Sequence, residues 1–87
     1  MIEDQHSERA ALSEEQRGIL DALEWLAAKG ITAPNRKMLS AITSYSGVHY
    51  TKNLGALHTA GLICYQPEAR TVGLTTEGRL LSISLNT

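Results

Sequence analysis

Apolar residues recur at helical spacing in the first third of the chain. Ser13, followed three residues later by Gln16, has the pattern of a capping box, in which each side chain satisfies a backbone N–H at the start of a helix. Gly30 supplies the left-handed conformation that commonly ends a helix. The pattern therefore predicts a first helix over residues 14–29, with five apolar positions on its inner face: Ile19, Leu20, Leu23, Leu26 and Ala27.

A proline marks the approach to a second, shorter helix. Pro34 forces the residue before it out of helical backbone, so Asn35 is well placed to cap a helix that follows. We expect the inner face of this helix to carry Met38, Leu39 and Ile42.

A third helix is predicted over residues 48–60, after a polar turn over residues 43–47 in which Ser46 can act as the cap. Three residues at helical spacing face the core: Tyr50, Leu54 and Leu57. The opposite side presents a more polar set with small residues: Val48, His49, Lys52, Gly55, Ala56 and Thr59. Tyr50 is therefore expected to pack in the core and not to stack on a base.

The next segment has the pattern of a β-hairpin. Gly61 ends the third helix, and apolar strands over residues 62–65 and 70–74 flank a turn over residues 66–69. Cys64 lies inside the first apolar run, so we expect it to be a small buried side chain.

A final short helix follows the hairpin, and Thr75 or Thr76 can cap it. Residues 82–87 are expected to continue as an extended tail, and residues 1–12 to form a flexible or partly helical arm. The domain itself is predicted to span residues 13–87.

Composition agrees with a single small domain but conceals a division of charge. The 87 residues are 43% hydrophobic and 20% charged, with a formal net charge of −1. Residues 1–29 hold seven acidic and three basic side chains, a net −4, whereas residues 30–87 hold five basic and two acidic ones, a net +3. The basic part is therefore the part that contains the second and third helices and the hairpin.

The sequence also predicts the compartment. No apolar run is long enough to span a bilayer, and the N-terminus is acidic where a signal peptide is basic. A single cysteine is typical of a reducing compartment. We expect a cytoplasmic protein with no membrane partner.

Two runs of residues carry a resemblance to a known class of domain. One joins the third helix to the first strand, and the other leaves the hairpin for the last helix: Leu54-x-x-Leu57-x-x-x-Gly61-Leu62-Ile63 and Leu74-Thr75-Thr76-Glu77-Gly78-Arg79. In the predicted order of elements, these runs resemble winged helix-turn-helix DNA-binding domains of bacterial, phage and plasmid regulators, including MarR-like and PadR-like transcription factors. The resemblance implies an α+β, mainly α fold, with a three-helix core and a small antiparallel β-hairpin as the wing. It also implies sequence-specific binding of double-stranded DNA by a small transcriptional regulator, with helix 48–60 in the major groove.

Candidate DNA contacts on the third helix follow from the chemistry of base edges. Lys52, on the outward side, is able to reach guanine O6 and N7 or a phosphate, and Asn53 at the edge of that side is able to pair with adenine. His49 and Thr51 lie near the helix start and suit contacts with the DNA backbone.

Three further cations are candidate DNA contacts outside that helix. Arg36 and Lys37 lie at the positive end of the second helix, where they suit phosphate clamps, and Arg70 on the hairpin suits a neighbouring groove. With five candidate bases in all, about three to five phosphates are neutralised per protomer, so we expect a homodimer whose two helices read half-sites one turn apart. Arg79 is expected to pair with the hairpin instead. The alternative for all these side chains is an ordinary solvated surface.

The chain offers no pattern for an enzyme or for a bound cofactor. No serine, histidine and acid spacing suggests catalysis, and no glycine-rich loop suggests a phosphate cradle. The histidines and Cys64 lack the spacing of a metal site.

A second function remains open at this level. A winged-helix protein-interaction module, such as an adaptor, inhibitor or complex subunit, also fits the sequence. The total charge is near neutral, the third helix has few basic residues, and Gly55 and Ala56 on its outward side are small. Trp25 lies off the apolar stripe of an acidic first helix, which suggests contact with the arm or with a partner.

Overall fold

Four helices and one β-hairpin make up the part of the chain that a computed structural model describes, residues 12–85. In chain order the elements are α1 (Glu14–Ala28), α2 (Arg36–Thr43), α3 (Gly47–Thr59), β1 (Ile63–Gln66), β2 (Thr71–Leu74) and α4 (Thr76–Leu85). The predicted coarse class, mainly helical with one antiparallel hairpin, is confirmed. The predicted arm lies outside the described residues except for Leu12, which packs against the core.

The first helix forms as its pattern predicts. Ser13 Oγ accepts from the Gln16 N–H at 3.1 Å, and Gln16 Oε1 accepts from the Ser13 N–H at 3.0 Å, so the capping box is complete. Gly30 has a φ of 88°, which lets the chain reverse direction after the last turn. The buried face of α1 supplies nearly half of the apolar core: Ile19, Leu20, Ala22, Leu23 and Leu26.

The second helix is capped as predicted, but its inner face is narrower than predicted. Asn35 Oδ1 accepts from the Met38 N–H at 2.8 Å. Leu39 is fully buried, whereas Met38 and Ile42 are each 42% exposed, so the expectation that all three face the core is wrong. Both exposed residues lie on the same side of Leu39, about 60 to 100° around the helix, and an eight-residue helix meets the core along one stripe only.

The hairpin pairs Ile63 with Leu74 and Gln66 with Thr71 in antiparallel register. Because side chains alternate along a strand, Ile63 faces the core and Cys64 faces solvent. The expectation that Cys64 is buried is therefore wrong, because only one face of the hairpin packs on the core and Cys64 lies on the other face.

Both edges of the hairpin are covered by other parts of the chain. On the β2 side, the Val72 N–H donates to Pro34 O at 2.9 Å and the Arg36 N–H donates to Arg70 O at 2.8 Å. On the β1 side, the Tyr65 N–H donates to His58 Nδ1 at 3.2 Å. The hairpin is thus tied to the start of α2 and to the end of α3, which fixes its position beside both helices.

The last helix is capped by Thr75, whose Oγ1 accepts from the Gly78 N–H at 3.0 Å. The helix continues to Leu85, so the predicted extended tail is wrong over residues 82–85; this stretch has no breaker, and α4 packs against α1. The two residues beyond it lie outside the described part of the chain. Arg79 Nε lies 3.6 Å from Glu24 Oε1 on α1, so its ion pair is with that helix and not with the hairpin as predicted.

Candidate nucleic-acid interface

α3 turns one side to the core and the other to solvent. Tyr50, Leu54 and Leu57 are buried, as predicted. The middle of the opposite side is a line of residues at i, i+4, i+7 and i+11, here named the outward stripe: Val48, Lys52, Gly55 and Thr59. Lys52 is exposed, and within residues 12–85 its ammonium group has no hydrogen-bond or ion-pair partner. The predicted outward position of this cation is confirmed.

Asn53 is held by α1 and is not free at the edge of that side. Its Nδ2 donates to Glu15 Oε2 at 2.5 Å, and its Oδ1 accepts from Gln16 Nε2 at 3.1 Å. Pairing with adenine uses both ends of an asparagine amide, and both ends are engaged here. The side chain therefore fixes α3 against the first turn of α1.

An acidic cleft of about 430 Å³ lies on this same flank of α3 and is lined by Ser13, Glu14, Glu15, His49 and Asn53. His49 is exposed at its edge. The carboxylates make this flank of α3 unfavourable for a phosphate or another anion.

Arg36 occupies the opposite flank, between α3 and the hairpin. Its Nη1 donates to the Tyr65 hydroxyl at 2.7 Å, and its Nη2 donates to Thr51 Oγ1 at 2.7 Å. The guanidinium carbon also lies 5.3 Å from the centre of the Tyr50 ring. The sequence predicted a phosphate contact for Arg36 and a contact with the DNA backbone for Thr51. In the structure these two side chains are hydrogen-bonded to each other. The guanidinium keeps three of its five N–H groups beyond these two bonds.

A basic groove of about 640 Å³ opens between the start of α2 and the hairpin tip. It is lined by Asn35, Arg36, Lys37, Tyr65, Pro67, Ala69 and Arg70. The structure thus brings together the three predicted cations Arg36, Lys37 and Arg70, from segments more than thirty residues apart. Lys37 and Arg70 are exposed.

Two features of the basic groove are unfavourable for the free protein. The first turn of α2 carries Arg36 and Lys37 and no acid, although the helix dipole already places positive charge there. Arg70 has a φ of 58°, a left-handed conformation that costs a residue with a side chain about 1 to 2 kcal/mol. A bound anion would offset the first of these costs.

Tyr50 sits beneath the groove as part of the core. Its hydroxyl donates to Arg36 O at 2.7 Å, and the residue is 2% exposed. Burial raises the pKa of Tyr50 to about 12, although the positive charge of Arg36 opposes the rise. Tyr50 is therefore a neutral packing residue at physiological pH, in agreement with the sequence-based expectation.

Tyr65 is the residue of this region that the sequence analysis missed. Its hydroxyl accepts from Arg36, which is 29 residues away in the chain, so no local pattern could have shown the pair. The strand alternation that places Tyr65 on the same face as Ile63 was the one signal available.

Between residues 12 and 85, no group of three or more His, Cys, Asp or Glu side chains is placed to hold a metal ion. None of the described helices is long and apolar enough to cross a bilayer. No protein-family model matches the chain, and neither a curated protein nor a solved structure matches it.

Proposed function

We propose that this domain is a winged helix-turn-helix that binds double-stranded DNA in a sequence-specific manner, with α3 in the major groove. The observation that carries the proposal is the outward stripe of α3, which is open to solvent and has Lys52 near its centre. The major groove of B-DNA is about 12 Å wide and admits one α-helix. The protein would act as a small transcriptional regulator in the cytoplasm.

Small residues support a close approach of α3 to the base edges. Gly55 lies on the outward stripe, a Cβ added there would meet nothing within 4 Å, and Ala56 beside it is exposed. Because neither adds bulk, the helix axis can come near the floor of the groove, and the Lys52 side chain can reach guanine O6 and N7.

The basic groove supports a phosphate contact on the hairpin side of α3. Lys37, Arg70 and the remaining N–H groups of Arg36 line it together. One DNA strand passing over the start of α2 would supply the anion that the two cations in the first turn of this helix lack. The hairpin then acts as the wing, with Arg70 directed to the neighbouring groove.

The acidic cleft defines the side that DNA avoids. Glu14 and Glu15 lie beside His49 and Asn53, so a strand on this flank would meet two carboxylates. We therefore assign the backbone contacts mainly to the basic groove and give Asn53 the role of fixing α3 on α1. His49 and Thr51 flank the outward stripe on its two sides and keep supporting roles near the helix start.

The small number of cations supports binding as a homodimer. Four exposed or partly exposed cations face the proposed DNA side: Arg36, Lys37, Lys52 and Arg70. Each neutralised phosphate contributes about 0.9 to the salt slope, so one protomer binds weakly, and two protomers on half-sites one turn apart bind usefully.

The direct test is DNA binding by fluorescence anisotropy at several salt concentrations, using duplexes enriched from a random library. We expect affinity to fall steeply with salt, and Lys52→Ala to weaken binding and reduce discrimination between enriched and random duplexes. Arg17→Ala is the matched control, because Arg17 is an exposed cation on α1 away from α3. Equal binding by wild type and Lys52→Ala, or loss of binding by Arg17→Ala alone, would contradict the proposal.

A protein-interaction module is the second candidate, and a specific observation favours it. Trp25 is 54% exposed, and Met38 and Ile42 lie partly exposed on the neighbouring helix α2. Apolar side chains in these positions suit a protein partner better than DNA. Capture of one protein that persists at high salt, together with no retardation of any duplex, would favour this candidate over DNA binding.

A further inference from the structure

The first turn of α3 exposes an apolar side chain where a groove-binding helix meets DNA. Val48 is 72% exposed, more than any other large hydrophobic residue among residues 12–81. It lies on the outward stripe, four residues before Lys52 and on the same side of the helix.

Val48 contributes little to the free domain. A β-branched residue is a weaker helix former than alanine or leucine, and its methyl groups gain nothing by facing water. Single exposed apolar residues are common on protein surfaces, so exposure alone does not indicate a function for Val48, whereas its position on α3 does. That position is on the midline of the face that is proposed to enter the major groove, at its N-terminal end.

The base edges of the major groove carry one methyl group, the C5-methyl of thymine, and it is their largest apolar group. We propose that Val48 is a specificity-determining residue that packs against a thymine methyl group; this inference rests on the proposed DNA-binding function. Of the neighbouring side chains, Thr51 lies toward Arg36 and is bonded to it and to Gly47 O, and His49 lies at the edge of the acidic cleft, so both are off the outward stripe that carries Val48.

The spacing on α3 adds a geometric constraint. Val48 and Lys52 are separated by four residues, which is about 6 Å along a helix axis. Base pairs rise about 3.4 Å each, so the two side chains reach base pairs about two steps apart. When α3 lies along the groove and Lys52 contacts a guanine, the preferred half-site therefore contains a thymine about two base pairs from that guanine.

The test uses duplexes enriched from a random library, in which each thymine in turn is replaced by deoxyuridine. This replacement removes the methyl group and leaves every hydrogen-bonding group of the base unchanged. We expect one position per half-site at which wild-type affinity falls about three- to fivefold, the value for one buried methyl group. Val48→Ala should bind the thymine and deoxyuridine duplexes equally at that position.

Two controls keep the result specific. Alanine is the better helix former, so Val48→Ala is expected to fold, and its circular dichroism spectrum verifies this. Leu80→Ala truncates another exposed apolar side chain, 63% exposed on α4, and should retain the wild-type preference for thymine.

The outcomes separate the two proposals. If wild type binds its duplexes but shows no loss on deoxyuridine replacement at any position, the role of Val48 is overturned and DNA binding stands. If Val48→Ala retains the same preference as wild type, the role is also overturned. If no duplex is bound at all, the proposed function fails, and the role of Val48 fails with it.

Discussion

Arg36 joins three elements of the domain, and its replacement separates a structural role from a phosphate-binding role. We compare Arg36→Met, which keeps the aliphatic stem and removes the charge, with Arg36→Lys, which keeps the charge and removes the planar fork. A lysine cannot bond the Tyr65 hydroxyl and Thr51 Oγ1 in the geometry that the guanidinium uses. Both variants should therefore lose the link between α3 and the hairpin.

The expected loss follows from the contacts of the guanidinium. Two hydrogen bonds of 2.7 Å from a charged donor in a partly exposed position contribute about 1 kcal/mol each. The ring contact with Tyr50 at 5.3 Å adds about 0.5 kcal/mol. The free energy of unfolding should fall by about 2.5 kcal/mol in each variant, which lowers the melting temperature of a domain of this size by roughly 10 to 20 °C.

Urea unfolding followed by circular dichroism measures this loss, with Lys37→Met as the matched control. Lys37 is an exposed cation in the same first turn, so its replacement should change stability by less than about 0.5 kcal/mol. DNA titrations with the same variants test the role of the charge separately. Only the methionine variants, which lack the charge, should lower the slope of log affinity against log salt concentration. Wild-type stability in both Arg36 variants would refute the structural role.

Three further predictions concern single positions. Arg70→Gly removes a strained left-handed residue and should raise stability by roughly 0.5 to 1 kcal/mol while weakening DNA binding; a less stable variant, or one with wild-type affinity, would contradict this. The folded state favours the neutral form of Tyr50, so the resulting contribution to the free energy of unfolding is complete below pH 10 and is lost as the pH rises toward 12. The total loss is about 2 to 3 kcal/mol, and urea unfolding across this range should show it in wild type but not in Tyr50→Phe. Gly78→Ala places a Cβ 1.9 Å from Leu62 O, so the free energy of unfolding should fall by about 1 to 3 kcal/mol in thermal unfolding, although alanine favours helices. A stabilised variant would disprove the close approach.

Local patterns predicted the elements of this fold well. The capping box of Ser13 and Gln16, the cap of Asn35 and the reversal at Gly30 all involve residues a few positions apart, and each forms as predicted. Such signals depend on backbone N–H groups that every helix start leaves unpaired, so they can be read without knowing the rest of the structure.

Contacts between distant segments could not be predicted in this way. Asn53 is separated from Glu15 by 38 residues, and Arg36 from Tyr65 by 29. Nothing in the local sequence shows that these side chains are engaged within the protein. The exposure of Met38 likewise depends on the angle at which a short helix meets the core, and the exposure of Cys64 depends on which face of the hairpin packs on the other elements.

An NMR titration of the isotope-labelled protein with an enriched duplex tests most directly whether α3 meets DNA. We expect the largest chemical-shift changes along the outward stripe, at Val48, Lys52 and Thr59, with further changes at Lys37 and Arg70 around the basic groove. Residues Glu14 and Glu15 of the acidic cleft should change little. Changes confined to the acidic cleft or to the exposed side of α1, or no change at a large excess of duplex, would contradict DNA binding through α3.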